Sequence, residues 1–469
     1  MKVLIISINR ETSPYPVVPI GALCVARAIK EAGHDPKLLD LCFVENDRQA
    51  IEDCLAEFSA DCIGISIRNI DNTNQQNSKN YIPRTRKIVD CLRRCSQVPI
   101  VLGGSGYSVF PEQLLEELGA DFGIAGPGEA SLVSLLQSME QKTPVAGVPG
   151  VYYLKNNEVQ HNDPVQQPGF YRPWLEGIDL DSYLKQGSLM GIQTKRGCPF
   201  KCSYCTYPKI NGSRVTLLGA EKVVEQLRYY SQEKGIFDFF FVDDVFNIPY
   251  SSTIELCKEI IKKNLKIRWY AFCSPREFDE PLAELLVAAG CQGVEFGTDA
   301  GHAKTLRGHG KDFSPDDILR AGLACKKAKL AQCHYIIFGG PNETDETAAA
   351  TIELMQKISP TMVLPFIGTR IYEDTKLAEI ALSEGQISQD QNFLQSVYYR
   401  SKNFDAVQLH QRLQDLEQES LHWLLIEGAK VFAWENLRQY VQNGYHGPFW
   451  DLMHRPTRLA FSKLPSNQG

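Results

Sequence analysis

No stretch of this chain approaches the about 18 consecutive apolar residues that a membrane-spanning helix needs. Its start, Met-Lys-Val-Leu-Ile-Ile-Ser-Ile, is too short an apolar run for a signal peptide and has no small-residue cleavage site. The cytoplasm is therefore the expected compartment. An excess of basic charge is also missing. Lys and Arg number 49 against 56 Asp and Glu, for a net charge of −7. A general nucleic-acid binder would carry a basic face, so no nucleic-acid partner is expected. There is no internal repeat and no low-complexity tract. A disulfide framework is absent too: of the 14 cysteines only three are tightly clustered, and the rest are scattered through apolar segments as buried thiols.

What remains is an ordinary globular composition, 43% hydrophobic and 22% charged over 469 residues. At about 150 residues per domain, that length suggests roughly three domains. Residues 1–140 alternate strand and helix signals. Apolar runs at Val3–Ile8, Pro36–Leu41, Cys62–Ile67, Pro99–Leu102 and Phe122–Ala125 are separated by helical periodicity, as in Ala22, Val25, Ala26 and Ile29. Repeated βα units imply a parallel sheet covered on both faces. Ligands then lie beyond the strands' carboxyl ends, which points to the loops 9–20, 66–80, 103–110 and 126–130. Residues 141–187 break the pattern with Pro144, Pro149, Pro164, Pro168 and Pro173, and read as a linker carrying a hairpin turned at Asn156-Asn157. From 188 to 400 six further strand signals alternate with helices, the arrangement of a partial (β/α)6 barrel of the TIM type. One of those helices starts with Ser314 as cap, Pro315 and Asp317. Residues 401–469 read as a helical extension, with Leu409, Leu413 and Leu416 on one face.

The tight cluster reads Lys195-Arg196-Gly-Cys198-Pro-Phe-Lys201-Cys202-Ser-Tyr204-Cys205, directly after the first strand of the second unit. Three thiolates spaced C-x3-C-x2-C can hold three irons of a cubane and leave the fourth open. Lys195, Arg196 and Lys201 would partly offset the cluster's negative charge. Structural zinc is the alternative, but it normally takes a fourth ligand at short spacing, and the nearest preceding histidine is His161.

This motif resembles that of the radical S-adenosylmethionine superfamily. The whole chain looks like its cobalamin-binding branch, with a Rossmann-like cobalamin domain ahead of the radical barrel. The resemblance implies a [4Fe–4S] cluster on Cys198, Cys202 and Cys205, S-adenosylmethionine chelated to the open iron, and cobalamin. It implies Tyr204 near the cluster, Asp243 and Asp244 at the methionyl ammonium, Glu295 at the ribose, and the Gly339-Gly340 strand end at the adenine. For cobalamin it implies Ser66, Arg68, Gly103, Gly104, Tyr107, Gly126, Gly128 and Glu129. Two departures stand out. The D-x-H-x-x-G motif that supplies a cobalt-ligating histidine in other cobalamin domains does not occur, and His34 would lie at the wrong end of the sheet. Tyr107 stands where the family often has histidine. The lower face of cobalt is therefore expected to be covered by the loop Ser66–Asp71. The implied activity is methylation of an unactivated carbon or phosphorus centre in a small molecule, with flavodoxin or ferredoxin as electron donor. The alternatives are radical cyclisation or rearrangement, a radical enzyme whose first domain no longer binds cobalamin, and a non-enzymatic metal-binding module.

Overall fold

A computed structural model describes residues 1–164, 169–420, 422–425, 439, 441–444 and 446–452. The expected Pro168 and most of the helical extension beyond residue 425 lie outside the described residues.

The first unit builds β1 (Lys2–Ser7), α1 (Ile20–Glu31), β2 (Asp35–Asp40), α2 (Asp47–Glu57), β3 (Cys62–Ser66), α3 (Ile82–Cys95), β4 (Ile100–Gly103), α4 (Pro111–Leu118), β5 (Phe122–Ile124) and α5 (Gly128–Gln141). The strands are nearly continuous apolar runs because both faces are covered by helices. The hairpin β6 (Val151–Lys155) and β7 (Glu158–His161) turns at Asn156-Asn157, both left-handed. It does not stand apart as a linker. β6 pairs antiparallel with β5, giving one seven-stranded sheet in the order β2-β1-β3-β4-β5-β6-β7. The hairpin thereby closes an edge that β5 would otherwise expose.

The second unit has six parallel strands in sequential order: β8 (Met190–Ile192), β9 (Asp238–Phe241), β10 (Arg268–Cys273), β11 (Cys291–Asp299), β12 (Ala331–Phe338) and β13 (Met362–Ile367). Five helices connect them: α6 (Ala220–Arg228), α7 (Tyr250–Lys262), α8 (Glu280–Ala288), α9 (Pro315–Ala328) and α10 (Asp345–Ile358). Alternate strand residues such as Phe239, Phe241, Trp269 and Val294 pack outward against these helices. Helix α9 begins with the expected cap: Ser314 and Asp317 exchange side-chain to backbone hydrogen bonds.

Leu189, Tyr270, Cys333, Met362, Leu364 and Leu424 form a plug around the fully buried Trp450, on the side where most of these strands begin. The segment Gly447–Trp450 therefore closes the floor of the barrel. A Cβ on Gly447 would come within 2.7 Å of the Tyr270 hydroxyl oxygen. Helix α11 (Ala406–Glu419) buries Leu409, Leu413 and Leu416 against the outside of the barrel. All the scattered cysteines are buried except Cys95. No described helix is long and apolar enough to cross a membrane.

Candidate functional site

The cysteines sit on the loop after β8, and its entry is tied down by the next strand. The carboxylate of Asp243, just past β9, accepts from the backbone N–H of Thr194 (2.7 Å) and Lys195 (3.2 Å) and from the Thr194 hydroxyl. Gly197 has φ +90°, and a Cβ there would lie 2.2 Å from the Arg214 carbonyl oxygen, so only glycine fits. The amide of Cys198 donates to the Gly212 carbonyl (3.0 Å), and that of Ser203 to the His309 carbonyl (2.8 Å).

Three thiols on one loop, with no histidine or further cysteine at short spacing, suit a cubane with one open iron better than structural zinc. Burial raises the Cys198 thiol to about 11 and the Cys205 thiol to about 12, and raises that of Cys202 as well. All three thus favour the protonated form until a cation displaces the proton. The donor set fits an iron–sulfur cluster.

Around this loop the strand ends bring acids of different character. Asp243 is 1% exposed and spends its oxygens on the loop, so it positions the cysteines instead of facing a cosubstrate. Asp244 accepts from Asn211 at 2.9 Å through one oxygen, while its other oxygen is buried without a partner. Burial raises this carboxyl to about 6. An acceptor left open beside the cysteines suits the ammonium of the methionyl group.

Glu295 lies deeper than expected. Its oxygens accept from Trp450 Nε1 (2.9 Å) on the barrel floor and from the Tyr335 hydroxyl (2.8 Å). It precedes the end of β11 by four residues, about 13 Å of strand. Burial raises it to about 7. The acid at the mouth of β11 is Asp299, which sequence reading passed over. It accepts from the Tyr204 hydroxyl (2.6 Å) and pairs with Lys311 (2.7 Å). A Gly-x-Asp-Ala-Gly run at the strand's end was the signal available for it. Gly339 has φ +83° and donates its N–H to Glu343 (3.2 Å). Gly340 lies against the buried His309 ring, 2.2 Å from where its Cβ would be. Both glycines are buried, and their carbonyls accept from the Ser401 amide (2.8 Å) and the Glu343 amide (3.1 Å), so the absent side chains make room for Phe404 and His309 and leave no bare backbone facing a ligand.

The first unit contributes a cavity of about 420 Å³. All four expected loops reach it, through Asn9, Ser66, Arg68, Gly103, Gly104, Gly126, Gly128 and Glu129. It continues as a slot between the sheet (Ile5, Gly64, Val101, Ile124) and helices α1 and α5. Gln193, Arg196 and Asn211 close it from the barrel side. An apolar slot entered through a glycine-rich rim, between sheet and helices, is a lining that would suit cobalamin. Among the described residues no histidine lines it. His34 lies at the other end of the sheet, beside the N-terminal amine (3.2 Å).

Tyr107 is a correction. It is fully buried in the domain core against Tyr152, in space made by Gly123, where a Cβ would sit 1.7 Å from its hydroxyl. Two buried ion pairs, also unforeseen, join the halves. Arg196 holds Glu129 across the cavity, and Arg370 holds Asp71 at 2.9 Å. The second pair fixes the loop that carries Ser66 and Arg68.

Residues 192–355 match the Radical SAM superfamily and residues 6–136 the B12 binding domain. The chain is similar to the tryptophan 2-C-methyltransferase of Streptomyces laurentii, 25% identical over 79% of this chain and 73% of that one. It is 26% identical to an uncharacterized methyltransferase of Pyrococcus horikoshii, over 80% of this chain and 83% of that one. The fold matches the radical S-adenosylmethionine methyltransferase TsrM of Kitasatospora setae, solved with cobalamin and a [4Fe-4S] cluster, with a TM-score of 0.85 over 97% of this chain and 98% of that one, at 23% identity. With the B12 binding domain and the Radical SAM domain matched in that order, over the units that hold the cavity and the cysteine loop, the chain belongs to the cobalamin-binding radical S-adenosylmethionine enzymes.

Proposed function

We propose that this protein methylates an unactivated carbon centre of a small molecule, using S-adenosylmethionine, a [4Fe–4S] cluster and cobalamin. The observation that carries this reading is the placement of the cavity rim against the cysteine loop, bridged by Arg196 and Glu129. When bound, the cluster supplies the electron for sulfonium cleavage and cobalamin supplies a methyl group. The chain's own residues do the rest. Cys198, Cys202 and Cys205 hold three irons and leave one position open. Asp244, with one oxygen buried and unpartnered, would receive the methionyl ammonium. Ser66 and Arg68, which line the cavity, would help hold the cobalamin. The parallel strands and the floor plug keep water from the reacting centre.

The barrel wall below the mouth suits a substrate with an apolar ring. Phe272 is 39% exposed although it sits in an interior strand, and it meets Phe240 edge-on at 4.9 Å. The substrate of the relative, tryptophan, is one compound of this kind. An electron donor such as flavodoxin or ferredoxin would serve the cluster, and the cytoplasm would keep its thiols reduced.

The test is anaerobic incubation of the reconstituted enzyme with methyl-labelled S-adenosylmethionine, titanium(III) citrate and a metabolite panel that includes tryptophan. Methylation predicts S-adenosylhomocysteine and label in a product. Deoxyadenosine with no S-adenosylhomocysteine would instead support cyclisation or rearrangement. Neither product would contradict an enzymatic role.

A further inference from the structure

Cys95, the exposed one among the scattered cysteines, does not stand alone. It ends helix α3, and Cys91 lies one turn earlier on the same helix. Residues four apart share a helix face. Glu52, on the neighbouring helix α2, completes a group of three. The sulfurs of Cys91 and Cys95 and a carboxylate oxygen of Glu52 all lie within 4.8 Å of one another. Cys91 is buried in the core beneath the two helices, and Glu52 is half-buried. The group therefore runs from the core to the surface, with Cys95 at its open end.

Two thiols and one carboxylate are a donor set that suits zinc and not magnesium or calcium, which take oxygen alone. A tetrahedral zinc with bonds of about 2.3 Å holds two thiolates about 3.8 Å apart, a separation that small side-chain rotations would reach. One oxygen of Glu52 accepts from Arg48 Nε at 2.7 Å, which leaves the other for a cation. The Arg48 guanidinium then offsets part of the charge of three anionic ligands and holds one of them in place. The thiols also lie in the last two turns of α3, where unpaired carbonyls make the helix end negative and favour a cation. Three protein ligands leave the fourth position to water. The group lies on the far side of the first sheet from the cavity. Helices α2 and α3 pack over Leu4, Ile6, Ile63 and Ile65, while the cavity lies against Ile5, Gly64, Val101 and Ile124 on the other face. A metal there acts on the two helices and not on the reacting centre.

We propose that Cys91, Cys95 and Glu52 form a second metal site, separate from the cysteine loop, that binds one zinc ion and ties helix α2 to helix α3. Binding displaces the two thiol protons to solvent, and nothing is oxidised or reduced. The inference is independent of the methylation reading and of the cluster assignment.

The experiment dialyses the anaerobically reconstituted full chain against chelator-buffered zinc at about 1 μM free ion, a concentration that a site of micromolar affinity or better retains. Zinc and iron are quantified on each sample. Cys95→Ser, at an exposed position, is the main variant, and comparison with it cancels any zinc held on the cysteine loop. Wild type should retain one more zinc per chain than Cys95→Ser. X-ray absorption at the zinc edge should show two sulfurs at about 2.3 Å and two lighter atoms at about 2.0–2.2 Å. Hydrogen exchange in residues 47–57 and 82–95 should slow in wild type, by about a hundredfold at free zinc a hundred times the dissociation constant, and not in Cys95→Ser. Equal zinc in wild type and Cys95→Ser overturns the proposal. So does a zinc shell of three or four sulfurs, which would place the ion elsewhere, or exchange in both helices that is indifferent to zinc. If Cys95→Ser is recovered in too low a yield, Glu52→Gln decides. Zinc affinity weakened at least about tenfold supports the proposal, and unchanged affinity overturns it.

Discussion

Replacing Arg370 by Met should loosen the loop that faces the cavity. Arg370 and Asp71 are 3% and 2% exposed. The guanidinium donates to Asp71 (2.9 Å) and to the Phe393 carbonyl (2.7 Å), with Ile371 as a third acceptor. Asp71 in turn accepts from the Thr73 amide (2.9 Å) and the Ser396 hydroxyl (3.0 Å). Removing one member of a buried pair costs about 3–5 kcal/mol, because the other charge stays buried and unpaired. If residues 66–81 open as a local unit, that cost lowers their protection against hydrogen exchange by about a hundredfold to a thousandfold or more. Exchange read by mass spectrometry is the suitable assay, since a chain of several domains does not unfold in one step. The double variant Asp71→Leu with Arg370→Met removes both charges and should recover much of the loss. A single variant whose exchange in 66–81 stays within about fivefold of wild type would refute the reasoning, since exposed pairs contribute only about 0–1 kcal/mol.

Other outcomes follow from the same geometry. Gly197→Ala places a Cβ 2.2 Å from the Arg214 carbonyl at φ +90°, so iron uptake on reconstitution should fall sharply while the circular dichroism stays native. Asp244→Asn removes the negative acceptor beside the cysteines, and S-adenosylmethionine binding by equilibrium dialysis should weaken about tenfold or more. Glu295 and Glu343 are both raised to about 7 by burial, against an ordinary value of 4.5. Between those two values the unfolded chain has lost a proton that the fold retains, so stability falls as pH rises through the window. Glu295→Gln should flatten that slope in thermal unfolding of the cofactor-free protein, and an unchanged slope would contradict the burial argument. The electron paramagnetic resonance spectrum of the cob(II)alamin-loaded protein should show no nitrogen superhyperfine splitting from histidine, because among the described residues no histidine lines the cavity.

Much of this architecture was legible in the sequence because parallel strands buried on both faces leave unbroken apolar runs. All six barrel strands and the five parallel strands of the first sheet fall where those runs lie. The cysteines were legible because three ligands on one loop share a local spacing. What stayed hidden depends on contacts between distant segments. Lys311 reaches the cysteine loop from over 100 residues away, and Arg370 meets Asp71 across 299 positions. Glu295 could be placed on its strand, but its depth depends on Trp450, 155 residues later. Tyr107 was misread because an aromatic in a glycine-rich turn looks like a rim residue, and only Gly123 on the neighbouring strand makes room for it inside. Asp243 has the right position for a cosubstrate group, yet hydrogen bonds to Thr194 and Lys195 occupy it.

The central claim is that Cys198, Cys202 and Cys205 carry a [4Fe–4S] cluster open at one iron. Mössbauer spectroscopy of the iron-57 reconstituted chain tests it most directly, with and without S-adenosylmethionine. The account predicts a [4Fe–4S] signal in the wild type, one iron site whose parameters change when S-adenosylmethionine is added, and no cluster in the variant with all three cysteines replaced by alanine. A cluster that persists in that variant, or a spectrum indifferent to S-adenosylmethionine, would contradict it.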